Sequence, residues 1–378
     1  MTAFILAARN AMLVVAVVIS ALLGSAAARA YPTTDLFCFV TGARLVISGA
    51  DPYDAQVWAK ATAGESPDYR GVLRPRPCPG RFGYPLWTAL LLIPLTWLDM
   101  AWVGFLWQFL LFAGAAIGVV FLARAIGNPR IAVTLGLITA LSQPFWLTVV
   151  NAQFGGILLG ALGVTAALLT RRRDLAAGAS LAVLWLKPHV VLLTLIAVPV
   201  AGLRAGRRGI AVAAVGAILI EALASIVARP GWPRDYLTEL LQNRSTQTLA
   251  STSLVGLSSA LTGSVLPGVI AAVTIVAAGA VALRGRKLND IELLSFATAS
   301  TLVLSPYLGS HDHLLLDPAW ARILVSSPRS GAVLAGLLAV VLPWSLYAFR
   351  GTLGGAEGLC GLVPAFTLVA LAVVLRRN

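Results

Sequence analysis

The chain has 378 residues, 58% of them hydrophobic and only 11% charged, with a mean hydropathy of +0.87. So few charged side chains cannot cover a water-soluble surface, which excludes an ordinary soluble globule. The net charge of +13 does not point to nucleic acid either: the excess lies between apolar runs, at Arg171-Arg172-Arg173, Arg204 to Arg208, Arg284 to Lys287 and Arg376-Arg377, where the positive-inside rule makes it cytoplasmic.

Taken in order, the chain reads as an all-α integral membrane protein, a single polytopic domain over 1–378. Arg9, an apolar stretch and Ala28-Arg29-Ala30 imitate a signal peptide, but retention is expected, as a first span over about 11–28 running outward. Residues 31–83 then form an outer loop with six basic residues and five acids, balanced enough for a small folded cap. Gly49 to Tyr53 predicts a turn, 54–63 a short amphipathic helix, and Pro75, Pro77 and Pro79 an extended stretch over 74–80. Cys38 and Cys78 share this loop; two unlinked thiols is the favoured reading, and a pair in an oxidising compartment the alternative.

Segment 84–98 holds Pro85 and Pro94 and is short. Counting it as a crossing would place Arg171 to Arg173 outside, so it reads as re-entrant or interface-lying. Further spans follow near 102–123, 131–149, 153–170, 175–186, 189–203, 209–228, 267–283, 290–307, 314–326, 331–349 and 360–375. With the first, that makes about twelve transmembrane helices, both termini inside. A second outer loop covers 229–266.

On this topology Asp35 lies just past the first span, where a carboxylate can act on a lipid-borne substrate. The only three histidines, His189, His311 and His313, share its face, with Lys187, Asn151, Gln153, Asp312, Arg229, Arg234 and Arg244. Each has a plainer reading. Asp35 also fits an N-cap, Lys187 a snorkelling side chain, and His311 and His313 a capping turn. Glu221, inside an apolar run, reads equally as a functional acid or a protonated packing residue. No metal-ligand pattern is visible, and no metal or cofactor is expected.

Several motifs then occur in order: Asp35 after the first span, Gly49-x-Asp51-Pro52-Tyr53, Phe82-Gly83-Tyr84-Pro85-Leu86, Asn151-Ala152-Gln153, Leu186-Lys187-Pro188, and Ser305-Pro306 ahead of His311. Together they resemble the GT-C glycosyltransferases of family 87, which includes bacterial polyprenyl-phosphate-mannose-dependent mannosyltransferases. Two departures stand out: Tyr84-Pro85-Leu86 lacks the common second proline, and Asn151-Ala152-Gln153 lacks the usual glycine before glutamine. The resemblance implies a multi-pass enzyme of the bacterial plasma membrane with an extracytoplasmic site and an inverting mechanism, and gives Asp35 the catalytic role. Its donor would be a sugar on polyprenyl phosphate and its acceptor a glycolipid or glycan.

The chemistry agrees. A lipid phosphate leaves without protonation, so one general base suffices where glycoside hydrolysis generally needs two carboxyl groups. Lys187, His189, His311 and His313 are the expected donor-phosphate ligands, with Arg234 and Arg244 behind them. Tyr84, Asn151, Gln153 and Asp312 are expected substrate contacts. Membrane lipids are the remaining expected partners, and a monomer is expected. Arabinofuranosyl transfer and a lipid flippase are the alternatives, the latter weakened by the lack of repeated halves.

Overall fold

The structure, a computed structural model, describes residues 31–68, 71–78, 80–242, 251–349 and 356–377. The predicted first span, Arg9, Ala28 to Ala30, Arg70, Pro79 and Arg244 lie outside the described residues.

A 3-10 turn at Tyr31–Thr33 leads through extended Thr34 into α1 (Asp35–Ile47), which ends where Gly49 takes a positive φ of 71°. Helix α2 (Ala55–Thr62) starts at Asp54, whose carboxylate accepts from the N–H groups of Gln56 and Val57. Both the turn and this helix match expectation. An antiparallel ribbon of β1 (Glu65–Pro67) and β2 (Leu73–Pro75) follows, with Ser66 opposite Arg74. The prolines predict the extended stretch, but nothing in the sequence predicts its pairing partner.

Cys38 and Cys78 form a disulfide across a sequence separation of 40, which corrects the expectation of unlinked thiols. The indole N–H of Trp58 binds the Cys78 carbonyl at 3.0 Å, so the two cysteines are brought together by packing of the cap. A cross-link of that span is worth about 2–4 kcal/mol.

Segment 84–98 becomes α3 (Leu86–Leu91) and a 3-10 turn (Ile93–Trp97), both too short to cross a bilayer. Beyond it come α4 (Met100–Ala125), α5 (Ile131–Leu141), α6 (Gln143–Val150), α7 (Gly155–Thr170), α8 (Asp174–Leu184), α9 (Leu192–Arg204) and α10 (Arg208–Ala228). The described residues of the second predicted loop include two helices, α11 (Trp232–Gln242) and α12 (Leu254–Thr262). The chain ends with α13 (Leu266–Ala282), α14 (Asp290–Leu304), α15 (Asp317–Ser326), α16 (Pro328–Ala348) and α17 (Leu362–Arg377).

Four helices among the described residues are long and apolar enough to cross a membrane: α4, α10, α16, and α17 with the turn before it; α5 and α6, bent by 57° at Ser142, make a fifth if counted as one span. A membrane protein follows; about twelve crossings do not. The spans expected at 175–186, 189–203 and 314–326 appear as helices of 11, 13 and 10 residues. A straight crossing needs about 20.

The chain groups into two compact units. The first contains residues up to Ala113, Val149–Phe154 and Gly216–Arg244. In its core Phe39 of α1 stacks on Phe154 at 4.6 Å, and Tyr31 lies against Gly104, where a Cβ would sit 1.9 Å from the ring. The second contains Gly114–Thr148, Gly155–Val215 and residues from Ser245 onward. There Gly114 and Gly118 of α4 meet Gly156, Gly160 and Gly163 of α7 backbone to backbone, at distances a Cβ would reduce to 2.5–2.9 Å. Small residues at this spacing let apolar helices approach closely in lipid, where burial alone gives no drive. At one end of this unit Arg207 joins Asp174 and Asp290, at 2.6 Å each, and the Leu169 carbonyl.

Candidate active site

In the first unit the site grows from the start of α1. Asp35 is the first helical residue, so its carboxylate sits at the positive end of the helix. It is not the N-cap, as one reading of the sequence had it. Thr34 holds that position, with its hydroxyl turned to the Tyr31 carbonyl.

Asp35 is tied to the turn between α6 and α7. Its backbone N–H donates to the Asn151 carbonyl at 3.2 Å, and the side-chain amide of Gln153 donates to its Oδ2. Tyr84 closes the set, its hydroxyl donating to Gln153 Oε1 at 3.4 Å. The amide orientation follows, because only the nitrogen can donate to a carboxylate and only the oxygen can accept from the phenol. Gln153 is 4% exposed, whereas Asp35 is half-buried and still reachable by solvent.

A bed of aromatic rings fixes this group. Tyr84 meets Phe39 edge-on at 4.8 Å, and Trp107 meets Phe154 at 5.4 Å. The indole N–H of Trp107 binds the carbonyl of Ala152 at 2.9 Å, and the Tyr53 hydroxyl binds that of Tyr84 at 2.6 Å. Ala152 has a φ of 53°, a left-handed conformation that costs a non-glycine residue about 1 kcal/mol or more. The missing glycine of the Asn-Ala-Gln motif is thus a real conformational departure, held in place by the Trp107 bond. Trp107 is invisible as a site residue in sequence, where a Trp in an apolar span reads as core. In the turn singled out at Asp51 and Tyr53, the Tyr53 N–H donates to Asp51 Oδ1 at 2.8 Å, and Arg229 bonds Asp51 and also Asp235 at 3.0 Å. Arg229 is therefore a strut of the cap.

The second unit holds the other cluster. Lys187, 4% exposed, donates to Asp312 Oδ1 at 2.6 Å, and its ammonium lies 3.1 Å from His311 Nε2. Asp312 also accepts from the Gly309 N–H at 3.0 Å, which caps the 3-10 turn Ser310–Leu316. His311 packs against Gly309 so closely that a Cβ there would lie 2.2 Å from the ring. His313 donates through Nε2 to the Thr252 carbonyl at 3.2 Å, because a carbonyl can only accept; its Nδ1 is buried without a partner among the described residues. His189 lies beside Tyr307, ring centres 5.7 Å apart, and its buried Nε2 has no hydrogen-bond partner among the described residues.

Burial, reinforced by the Lys187 ammonium, holds His311 down to about 3 and His189 to about 4; for His313 burial alone gives about 4. Burial pushes Asp312 the other way, but Lys187 and the flanking histidines outweigh it and keep the carboxyl below its usual range. The cluster at neutral pH is therefore one ion pair flanked by neutral imidazoles.

The structure thus joins Asp35, Tyr84, Asn151 and Gln153 in one unit, and Lys187, His189, His311, Asp312 and His313 in the other. Arg234 is exposed on α11, its carbonyl accepting from Thr238. Glu221 lies within α10, and its buried Oε2 has no partner among the described residues. Arg76, one of the cap arginines, turns inward to the Ala63 carbonyl at 2.6 Å and over the Phe37 ring. Ser251, Thr252 and Ser253, which hold the strand of residues around Leu308, were not anticipated; their signal is the run of hydroxyls itself.

The model of glycosyltransferase family 87 matches residues 82–306. That interval includes Tyr84, Asn151, Gln153, Lys187 and His189; Asp35 precedes it, and His311 to His313 follow it. No curated protein matches the chain. With more than half of its length matched, the chain belongs to glycosyltransferase family 87.

Proposed function

We propose that this membrane glycosyltransferase inverts configuration as it moves a sugar, mannose foremost, from a polyprenyl-phosphate donor to a glycolipid or glycan acceptor. Its site is assigned to the extracytoplasmic face of a bacterial plasma membrane, and its general base to Asp35. The observation that carries this reading is the anchoring of Asp35: a solvent-reachable carboxylate is held by backbone and side chain to the turn carrying Asn151 and Gln153. A surface aspartate with no task does not require a buried amide to set its rotamer.

The chemistry needs little more from that side chain. The acceptor hydroxyl attacks the anomeric carbon, its proton passes to the Asp35 carboxylate, and the carbon–oxygen bond to the prenyl phosphate breaks with the electron pair leaving on phosphate. Displacement from the opposite face inverts the centre. Gln153 fixes the carboxylate, while Tyr84 and the Asn151 turn set the wall against which substrate hydroxyls are placed. Lys187, His189 and His311 are proposed to stabilise the departing phosphate. His313, expected beside them, donates through Nε2 to Thr252 and its neutral Nδ1 can only accept, so it is proposed to hold the turn instead. Asp312 is proposed to orient Lys187 as well as to meet substrate.

The test is transfer in proteoliposomes supplied in parallel with polyprenyl-phosphate mannose and polyprenyl-phosphate arabinose. Wild-type protein is expected to transfer mannose, and Asp35→Asn to lose about 10²–10⁴-fold in rate. Undiminished turnover in the variant removes Asp35 from the mechanism. Preference for arabinose replaces the sugar, and lipid movement without product replaces the enzyme by a transporter.

A further inference from the structure

At the opposite extreme of chemistry from Asp35, the second unit has a cavity of about 600 Å³ lined by Val281, Ala282, Arg284, Gly285, Arg286 and Arg376. Two structural elements meet there: the end of α13 with the turn after it, and the end of α17. Arg286 is pinned at 3.1 Å to Glu292, which also accepts from Arg322 at 2.9 Å, so one carboxylate answers two guanidiniums. Arg284 and Arg376 are exposed, and neither has a carboxylate partner among the described residues.

A positive chain end is by itself only a topology signal. This one differs in that three guanidiniums line a concave site, and in what adjoins them. Helix α13 exposes Val281 (69%), Val273 and Ile270, and α17 exposes Phe366, Val369 and Val373. A soluble anion would use the arginines and leave these side chains unused. A molecule with a phosphate at one end and acyl chains at the other uses both.

We propose that this cavity binds the headgroup of an anionic phospholipid, its phosphate on Arg284 and Arg376 with Arg286 as the fixed wall, and its chains along α13 and α17. Arginine suits the task because its planar fork meets two phosphate oxygens at once. Charge complementarity and continuity with the apolar helix faces choose the occupant.

The experiment is lipid retention by the purified full-length protein, measured by native mass spectrometry after exchange into micelles containing equal phosphatidylglycerol and phosphatidylcholine. Wild-type protein is expected to keep phosphatidylglycerol preferentially, and Arg284→Gln/Arg376→Gln to lose that preference by roughly ten-fold, with an unchanged melting temperature. The control Arg171→Gln/Arg204→Gln removes two exposed arginines elsewhere in the unit and is expected to leave retention intact. Equal loss in the control overturns the site in favour of diffuse surface charge. Displacement of the lipid by millimolar inorganic phosphate, or equal retention of phosphatidylcholine, overturns the proposed ligand.

Discussion

Asp35 and Asp312 each take a hydrogen bond from a side chain more than a hundred positions away, Gln153 and Lys187, respectively. The donors differ in charge, and so do the surroundings. Asp35 is half-buried and receives a neutral amide, which sets its direction without bringing a positive charge to it. Asp312 is 1% exposed and receives an ammonium and a backbone N–H, which together cancel it. A carboxylate meant to take a proton must keep its charge and meet solvent or substrate. One meant to hold a turn must be neutralised, since an uncompensated buried charge is far more costly.

The contrast breaks first at Asp35. Asp35→Asn keeps the shape and an acceptor for Gln153, so activity is expected to fall by about 10²–10⁴ while the melting temperature holds; a melting shift as large as the activity loss would show a structural carboxylate instead. The converse change is Lys187→Met. It leaves Asp312 buried without its ammonium, a loss of about 3–5 kcal/mol, to be read as a lowered thermal midpoint or failure to accumulate. Restoring stability with Lys187→Met/Asp312→Leu would sharpen the assignment of that pair to structure, whereas lost turnover in a stable double variant would assign it to the phosphate.

A smaller effect is expected for Gln153→Leu. Removing a hydrogen bond to a charged group costs about 1.5–3 kcal/mol, which should appear as a ten- to hundred-fold fall in kcat with Asp35 still present. Acid acts on the other cluster. His189, His311 and His313 bind protons less readily folded than unfolded, so their contribution is whole above about pH 6.5 and is lost as pH falls toward 4. The thermal midpoint is therefore expected to drop between pH 7 and pH 4.5, and His189→Gln to flatten part of that slope. The smallest change is Ala152→Gly, which relieves a left-handed alanine at some cost in chain entropy. A net gain below about 1 kcal/mol is expected, measured as a small rise in the midpoint.

Much was legible in the chain itself. Apolar runs and basic clusters required a helical membrane protein, because lipid demands internal pairing of the backbone and local hydropathy reports that directly. Asp54 announced α2, and the ordered motifs announced the family. The number of crossings was not legible, since α8 and α9 are apolar yet stop at 11 and 13 residues, and hydropathy counts composition rather than reach. Sequence likewise marked Asp35, Tyr84, Gln153, Lys187 and Asp312 as polar residues in apolar company. Only tertiary structure decided that Gln153 goes to one aspartate and Lys187 to the other, that Cys38 meets Cys78, and that Trp107 holds a strained Ala152. Those pairings depend on distances set by packing of segments far apart in the chain, and no local pattern encodes them.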